Sequence, residues 1–244
     1  MQSIKRRYQS FKKKYELVRR KSYEAFGSSK YSRASLNDID RKLEKYLDYR
    51  NGFFIEVGGN DGFNQSNTYY LEKFRDWQGI LVEGIPDLYN KCVRERKNSK
   101  VFNYALVSAD FKESHITMSY AYLMSFVKGA LKSNDAETNY LKEWIIGEKK
   151  CNKRDVVSYE IKVPTKTLTA ILDECNVEEI DFFSLDVEGY ELNVLKGLDF
   201  KRYKPKYMLI EARFKEEIDE YISDLYVQVD QLSYHDFLYK CKTK

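Results

Sequence analysis

The sequence predicts an α/β fold: a mostly parallel sheet with helices on both faces. Three observations predict it. Short apolar runs bounded by turn residues alternate with stretches of helical period. The first of these runs, Phe53-Phe54-Ile55-Glu56-Val57, opens directly into a glycine-rich turn. Later runs end on acids, Glu83, Asp186 and Glu211, at the strand tips where open α/β sheets bind ligands.

Composition sets the outer limits. The chain has 244 residues, of which 43% are hydrophobic, enough for one large domain carrying an insertion. Charged residues make up 33%, and no apolar run approaches the ~20 residues that span a bilayer, so integral membrane contact is excluded. The basic N-terminus lacks the apolar stretch of a signal peptide, and a cytoplasmic protein is expected. Cys92, Cys151, Cys175 and Cys241 are scattered, which signals neither a zinc site nor a disulfide framework. A net charge of +4 does not by itself imply nucleic acid.

Residues 1–50 form a basic helical region. Nine cations and one acid, Glu16, fall in residues 1–21, while Ile4, Tyr8, Phe11, Tyr15 and Val18 recur at spacings of four and three. This amphipathic helix can pack on the domain or on a second subunit of a homodimer. It can also contact a membrane surface peripherally, or a polyanion. A second amphipathic helix is expected from Asn37 to Tyr49, with Ile39, Leu43, Tyr46 and Leu47 on one face.

The main domain is expected over 51–244. After Phe53–Val57, Ser66 can cap a helix through Tyr69, Leu71 and Phe74. Gly79–Glu83 is the second strand, and Pro86 suits the first turn of the next helix. Val101 to Val107 is the third strand. The alternation then pauses over about 108–163, too long for a plain connection and a candidate lid or acceptor-binding element. Within it, 113–118 reads as a strand, two helices are expected around Leu123–Leu131 and Tyr140–Ile145, and Val157 to Val163 alternates as a half-exposed strand. Thr167 then caps a helix, Ile180–Asp186 is the fourth strand, Glu191–Leu198 a helix and Tyr207–Glu211 the fifth strand. Residues 225–231 and 236–241 close the sheet.

The glycine turn reads as acid-x-Gly-x-x-x-Gly, with Glu56, Gly58 and Gly62. Such a turn allows close backbone approach and offers N–H groups to a ligand. No Gly-Lys-Ser/Thr follows, and glycines at relative positions one, three and six are missing, so neither phosphate-binding pattern is met. The acidic opening suits a cationic ligand, although such a pattern also arises in structural turns. Glu83, 21 residues beyond Gly62, is placed to accept from ribose hydroxyls; its alternative is to cap the helix at Pro86. Asp186 should face the glycine turn across the sheet's switch point, with Glu188 in the following turn. The two can act as general base or hold a divalent cation such as Mg²⁺. Glu191 is read as favouring its helix N-terminus. Glu211 is a third candidate base and His115 a weaker one.

These segments resemble the FkbM-type methyltransferases. The resemblance lies in Phe54–Gly62, Ser66-Asn67-Thr68, Trp77–Glu83, Val163-Pro164-Thr165, Ile180–Glu191 and Leu195-Lys196-Gly197. Gly59, where the family often carries alanine, and Gly84-Ile85 depart from it. The resemblance implies a class I methyltransferase, Rossmann-like fold: a seven-stranded sheet whose last strand runs antiparallel. It implies S-adenosyl-L-methionine as donor and an O-methyl product on a sugar, glycan or secondary metabolite. The cofactor residues expected are Glu56, Gly58, Asn60, Asp61, Gly62, Ser66, Asn67, Glu83 and Ala105. The catalytic candidates are Asp186, Glu188 and Glu211. A small-molecule or glycan acceptor is the expected partner. The rival readings are a nucleic-acid methyltransferase that uses the basic arm and a non-catalytic binding protein that retains the fold.

Overall fold

A computed structural model describes residues 2–121, 125–147 and 158–242. Helix α1 (Gln2–Ala25) leads to a short turn at Leu36–Asp38, α2 (Ile39–Lys42) and α3 (Glu44–Leu47). The helix expected from Asn37 is thus shorter and broken. Asn37 and Asp38 adopt left-handed φ values of 53° and 55°, so helix can start only at Ile39. The predicted stripe still serves: Ile39, Leu43 and Leu47 are all buried.

Next come β1 (Phe53–Val57), α4 (Tyr69–Phe74), β2 (Gln78–Val82), α5 (Pro86–Glu95), β3 (Ser99–Phe102) and β4 (Ala105–Leu106). The insertion holds β5 (His115–Tyr120), β6 (Phe126–Val127), α6 (Asn134–Gly147) and β7 (Tyr159–Lys166). The chain closes with α7 (Leu168–Cys175), β8 (Phe182–Leu185), α8 (Glu191–Lys196), β9 (Tyr207–Glu211), α9 (Lys215–Ile222), β10 (Tyr226–Gln231) and β11 (Asp236–Cys241).

The main sheet has seven strands in the order β10-β11-β9-β8-β1-β2-β3. Strand β1 pairs in parallel with both β2 and β8, and β11 is antiparallel to both its neighbours. This is the expected class I arrangement, with the switch of direction between β1 and β8. Both faces are covered, which is why these strands read as continuous apolar runs. Ile55, Ile80, Phe183 and Met208 pack on one face with Leu172 and Leu195. Phe54, Leu81, Phe182 and Leu209 pack on the other with Leu43, Leu47 and Leu71. Thr167 caps α7 by accepting from Ala170 N–H, and Ser66 Oγ accepts from Tyr69 N–H at the start of α4.

Two expectations are corrected here. The third strand does not run on to Val107. Asn103 turns its side chain back to donate to the carbonyls of Glu83 and Gly84, each at 2.8 Å, and the chain leaves the main sheet. Ala105–Leu106 pairs instead with Thr165–Lys166 in a second sheet, β4-β7-β5-β6. The first helix expected in the insertion is replaced by β6, where Phe126 and Val127 pair antiparallel with Ser119 and Met118. Gly129, at φ +92°, then turns the chain. Leu123, Cys151 and Val157 lie outside the described residues. Cys92, Cys175 and Cys241 are free thiols. Among the described residues no helix is long and apolar enough to cross a membrane.

Candidate active site

The loop after β1 brings two strand ends together. Asp186, just past β8, donates its N–H to Val57 O, and Gly58 follows at φ +88°. Most of the loop's N–H groups are already engaged within the protein rather than offered to a ligand. Gly58 and Gly59 donate to Val82 O, Asn60 to Glu83 Oε2, Gly62 to Gly59 O, and Phe63 and Asn64 to Asp61 Oδ1. The loop therefore provides close approach rather than an anion cradle.

Glu56 also departs from the role its position suggested. Its carboxylate points into a buried network, accepting from Ser66 Oγ at 2.9 Å, Thr68 Oγ1 at 2.6 Å, Asn67 N at 2.8 Å and Arg96 at 3.1 Å. Arg96, fully buried one residue past α5, also pairs with Glu72 at 2.7 Å. Glu56 thus spends its oxygens on partners inside the protein and does not line the cleft. Gly62 is fixed by packing: a Cβ there would stand 3.0 Å from Cys92 Cα. Asp61 closes the loop's own turn, and Asn67 donates to Ser184 Oγ. Glu56, Asp61, Gly62 and Asn67 hold the loop's shape from behind.

Gly58, Asn60, Ser66, Glu83, Ala105, Asp186 and Glu188 do meet, lining one cleft of about 860 Å³ measured out to its open mouth. Glu83 accepts from Asn60 N and Ile85 N, each at 2.8 Å, which leaves acceptor capacity on both oxygens. Burial pushes its carboxyl up to about 7, against the pull of those two bonds. The insertion supplies the facing wall through Met118, Ser125 and Val127. Met118 packs on Gly84, where a Cβ would stand 2.6 Å from its sulfur, so Gly84 is the residue that lets the insertion close on β2.

At the far end, carboxylate oxygens of Asp186, Glu188 and Glu211 lie within 4.8 Å of one another. Desolvation raises the Asp186 carboxyl well above its ordinary value, and the charges of Glu211 and Glu188 add to the rise. Glu211 is raised too, by burial first and then by Glu188. Glu188, at φ +55°, is held from outside: Tyr140 donates to it at 2.6 Å and Arg213 at 3.0 Å. Glu191 accepts from Gly189 N–H at 2.7 Å, a capping role as expected. Glu211 reaches the acid group but does not line the cleft. His115 is exposed at the start of β5, bonded to neighbouring Ser114, and outside the cleft wall.

The model of the FkbM methyltransferase domain matches residues 56–239. The chain belongs to the FkbM methyltransferase family. Among curated proteins none matches significantly. Solved structures of similar shape include a fibrillarin pre-rRNA processing protein from Methanococcus jannaschii, 12% identical with a TM-score of 0.39 over 80% of this chain and 69% of that one. A TehB-like SAM-dependent methyltransferase from Corynebacterium glutamicum is 10% identical, with a TM-score of 0.42 over 96% and 100%. A SAM-dependent methyltransferase from Aquifex aeolicus is 13% identical, with a TM-score of 0.43 over 87% and 92%.

This chain is a SAM-dependent methyltransferase. S-adenosylmethionine carries a sulfonium and an ammonium. Three carboxyl groups, Glu83, Asp186 and Glu188, line the cleft, and among the described residues no lysine or arginine does. A pyrophosphate would meet carboxyl groups and mostly paired N–H groups there. Sequence reasoning missed Arg96, Met118, Tyr140 and Arg213. Gly84, noted only as a departure, was the one signal that pointed to Met118.

Proposed function

We propose that this enzyme methylates a hydroxyl group on a sugar, glycan or related secondary metabolite, with Asp186 accepting the hydroxyl proton. The observation that supports the reading most is the pairing of Asp186 with Glu211 at the β8 and β9 ends, two desolvated carboxyl groups beside the cleft. Like charges this close disfavour double ionisation, so the pair takes up a proton more readily than an isolated carboxylate, which suits a general base.

Bound S-adenosylmethionine supplies an electrophilic methyl group on a sulfonium. The remaining tasks fall to the chain. Gly58, Asn60 and Ser66 shape the floor, and Glu83 offers its two remaining acceptor positions to the ribose hydroxyls. Orientation of donor against acceptor supplies a large part of the rate enhancement. Glu188 is a positioning group rather than the base, because Tyr140 and Arg213 already occupy one of its oxygens. The insertion at 108–163 serves as the lid: Met118 covers the Gly84 side, and Tyr140 ties α6 to the acidic end.

The acid trio can also be read as a ligand set for Mg²⁺. Arg213 and the shared proton compete with a metal there, which favours the proton-accepting reading. A screen with labelled donor against sugar nucleotides and oligosaccharides tests the proposal. Methyl transfer to a hydroxyl, sustained in excess chelator and lost in Asp186→Asn, is expected. Transfer only to nitrogen or carbon acceptors, or activity abolished by chelator, overturns it.

A further inference from the structure

Helix α1 is 24 residues long, and among the described side chains its hydrogen bonds and ion pairs to the body come from its C-terminal part. Arg20 pairs with Glu95 at 3.0 Å and stacks over the Phe63 ring at 3.5 Å, while Glu24 accepts from Tyr69 Oη at 2.7 Å and from Ser32 Oγ at 2.8 Å. At about 100° per residue, Tyr8, Phe11, Tyr15 and Val18 form one stripe roughly opposite the Arg20–Glu24 face. That stripe points away from the protein, and its members are 66%, 70%, 57% and 56% exposed. Lys14 flanks it on one side and Lys12 on the other.

The charge is equally one-sided. Residues 1–21 carry a net +8, so the remainder of the chain, of total charge +4, is net −4. We infer that α1 is a docking helix for an anionic lipid surface, lying in the interface plane with Phe11 and the two tyrosine rings sunk among the headgroups. Three features select this occupant. An outward apolar stripe with cations on both flanks matches a bilayer interface, where apolar depth and negative headgroups lie side by side. Tyrosine rings, apolar with a polar tip, suit that depth. A second copy laid stripe to stripe would bring Lys12 and Lys14 close to the cations of the other copy. The acidic body would be repelled by the same surface, so the arm fixes the orientation.

The test is co-sedimentation of the full chain with phosphatidylcholine vesicles, with and without phosphatidylglycerol. Binding to the anionic vesicles alone, weakening with added salt, is expected. Phe11→Ser/Tyr15→Ser and Lys12→Glu/Lys14→Glu should each weaken it by at least about tenfold. Neither pair touches the body, so S-adenosylmethionine binding and far-ultraviolet circular dichroism should stay unchanged. The proposal is overturned by failure to pellet with anionic vesicles at low salt, or by equal binding of the variants. It is equally overturned by a dimer in light scattering that Phe11→Ser/Tyr15→Ser dissolves, or by preference for RNA over vesicles in competition.

Discussion

The backbones of Gly58 and Asp186 touch: a Cβ at residue 58 would stand 1.9 Å from the Asp186 carbonyl oxygen. This contact joins the ends of β1 and β8 at the switch point of the sheet, and it places the loop's floor beside the proposed base. Gly58 also sits at φ +88°, which disfavours any L side chain. Gly58→Ala should therefore destabilise the protein by at least about 2 kcal/mol and weaken donor binding together with it. Thermal unfolding and calorimetry on one preparation check both effects.

Arg96 makes a different kind of contribution. It is the shared partner of two buried acids, Glu56 and Glu72. Arg96→Met leaves both uncompensated and should cost about 3–5 kcal/mol. Chemical denaturation measures it. Donor affinity extrapolated to the fully folded fraction should change little, since Arg96 does not line the cleft.

The catalytic assignment separates Asp186 from Glu211 kinetically. Asp186→Asn should lower kcat by about 10²–10⁴ while donor affinity stays within severalfold of wild type. Glu211→Gln should lower kcat less and shift the acid limb of the pH profile, because it removes the charge that helps raise Asp186. Steady-state kinetics across pH with a productive acceptor distinguishes the two residues.

Burial also sets a pH dependence of stability. Glu191 is pushed up to about 7 from its ordinary 4.5. A carboxyl raised in the folded state binds its proton more tightly there than in the unfolded chain. Its stabilising contribution is complete below about pH 4.5 and is lost as pH rises through about 7. Glu83 acts in the same direction. Glu191→Gln keeps an acceptor for Gly189 N–H and removes the ionisation. Its thermal midpoint should fall less steeply than that of wild type between about pH 5 and 8. Parallel curves would contradict the assignment.

The central sheet was readable because two-sided burial makes each parallel strand a dense apolar run, as in Ile80-Leu81-Val82 and Phe182-Phe183. The end of the third strand was not, because apolar spacing continues past the turn that Asn103 enforces through tertiary hydrogen bonds. Phe126, Val127 and Leu131 fit a helical period as well as a strand, and pairing with β5 decided between them. In the site, glycines and strand-tip acids stood out by position, which brought Gly58, Glu83 and Asp186 to notice. What the acids do depends on partners far along the chain. Arg96 lies 40 residues from Glu56, and Tyr140 lies 48 residues from Glu188. No local period announces either pairing. The acidic start of the loop pointed to a cationic ligand, but the acids that line the cleft are Glu83, Asp186 and Glu188 rather than Glu56.

The most direct test of the account is a calorimetric titration of the protein with S-adenosylmethionine, in wild type and Glu83→Gln. One donor per chain should bind wild type, and Glu83→Gln should weaken binding by at least about tenfold, or 1.4 kcal/mol. Absence of binding to wild type, or equal affinity for the two proteins, would contradict the placement of the donor in this cleft.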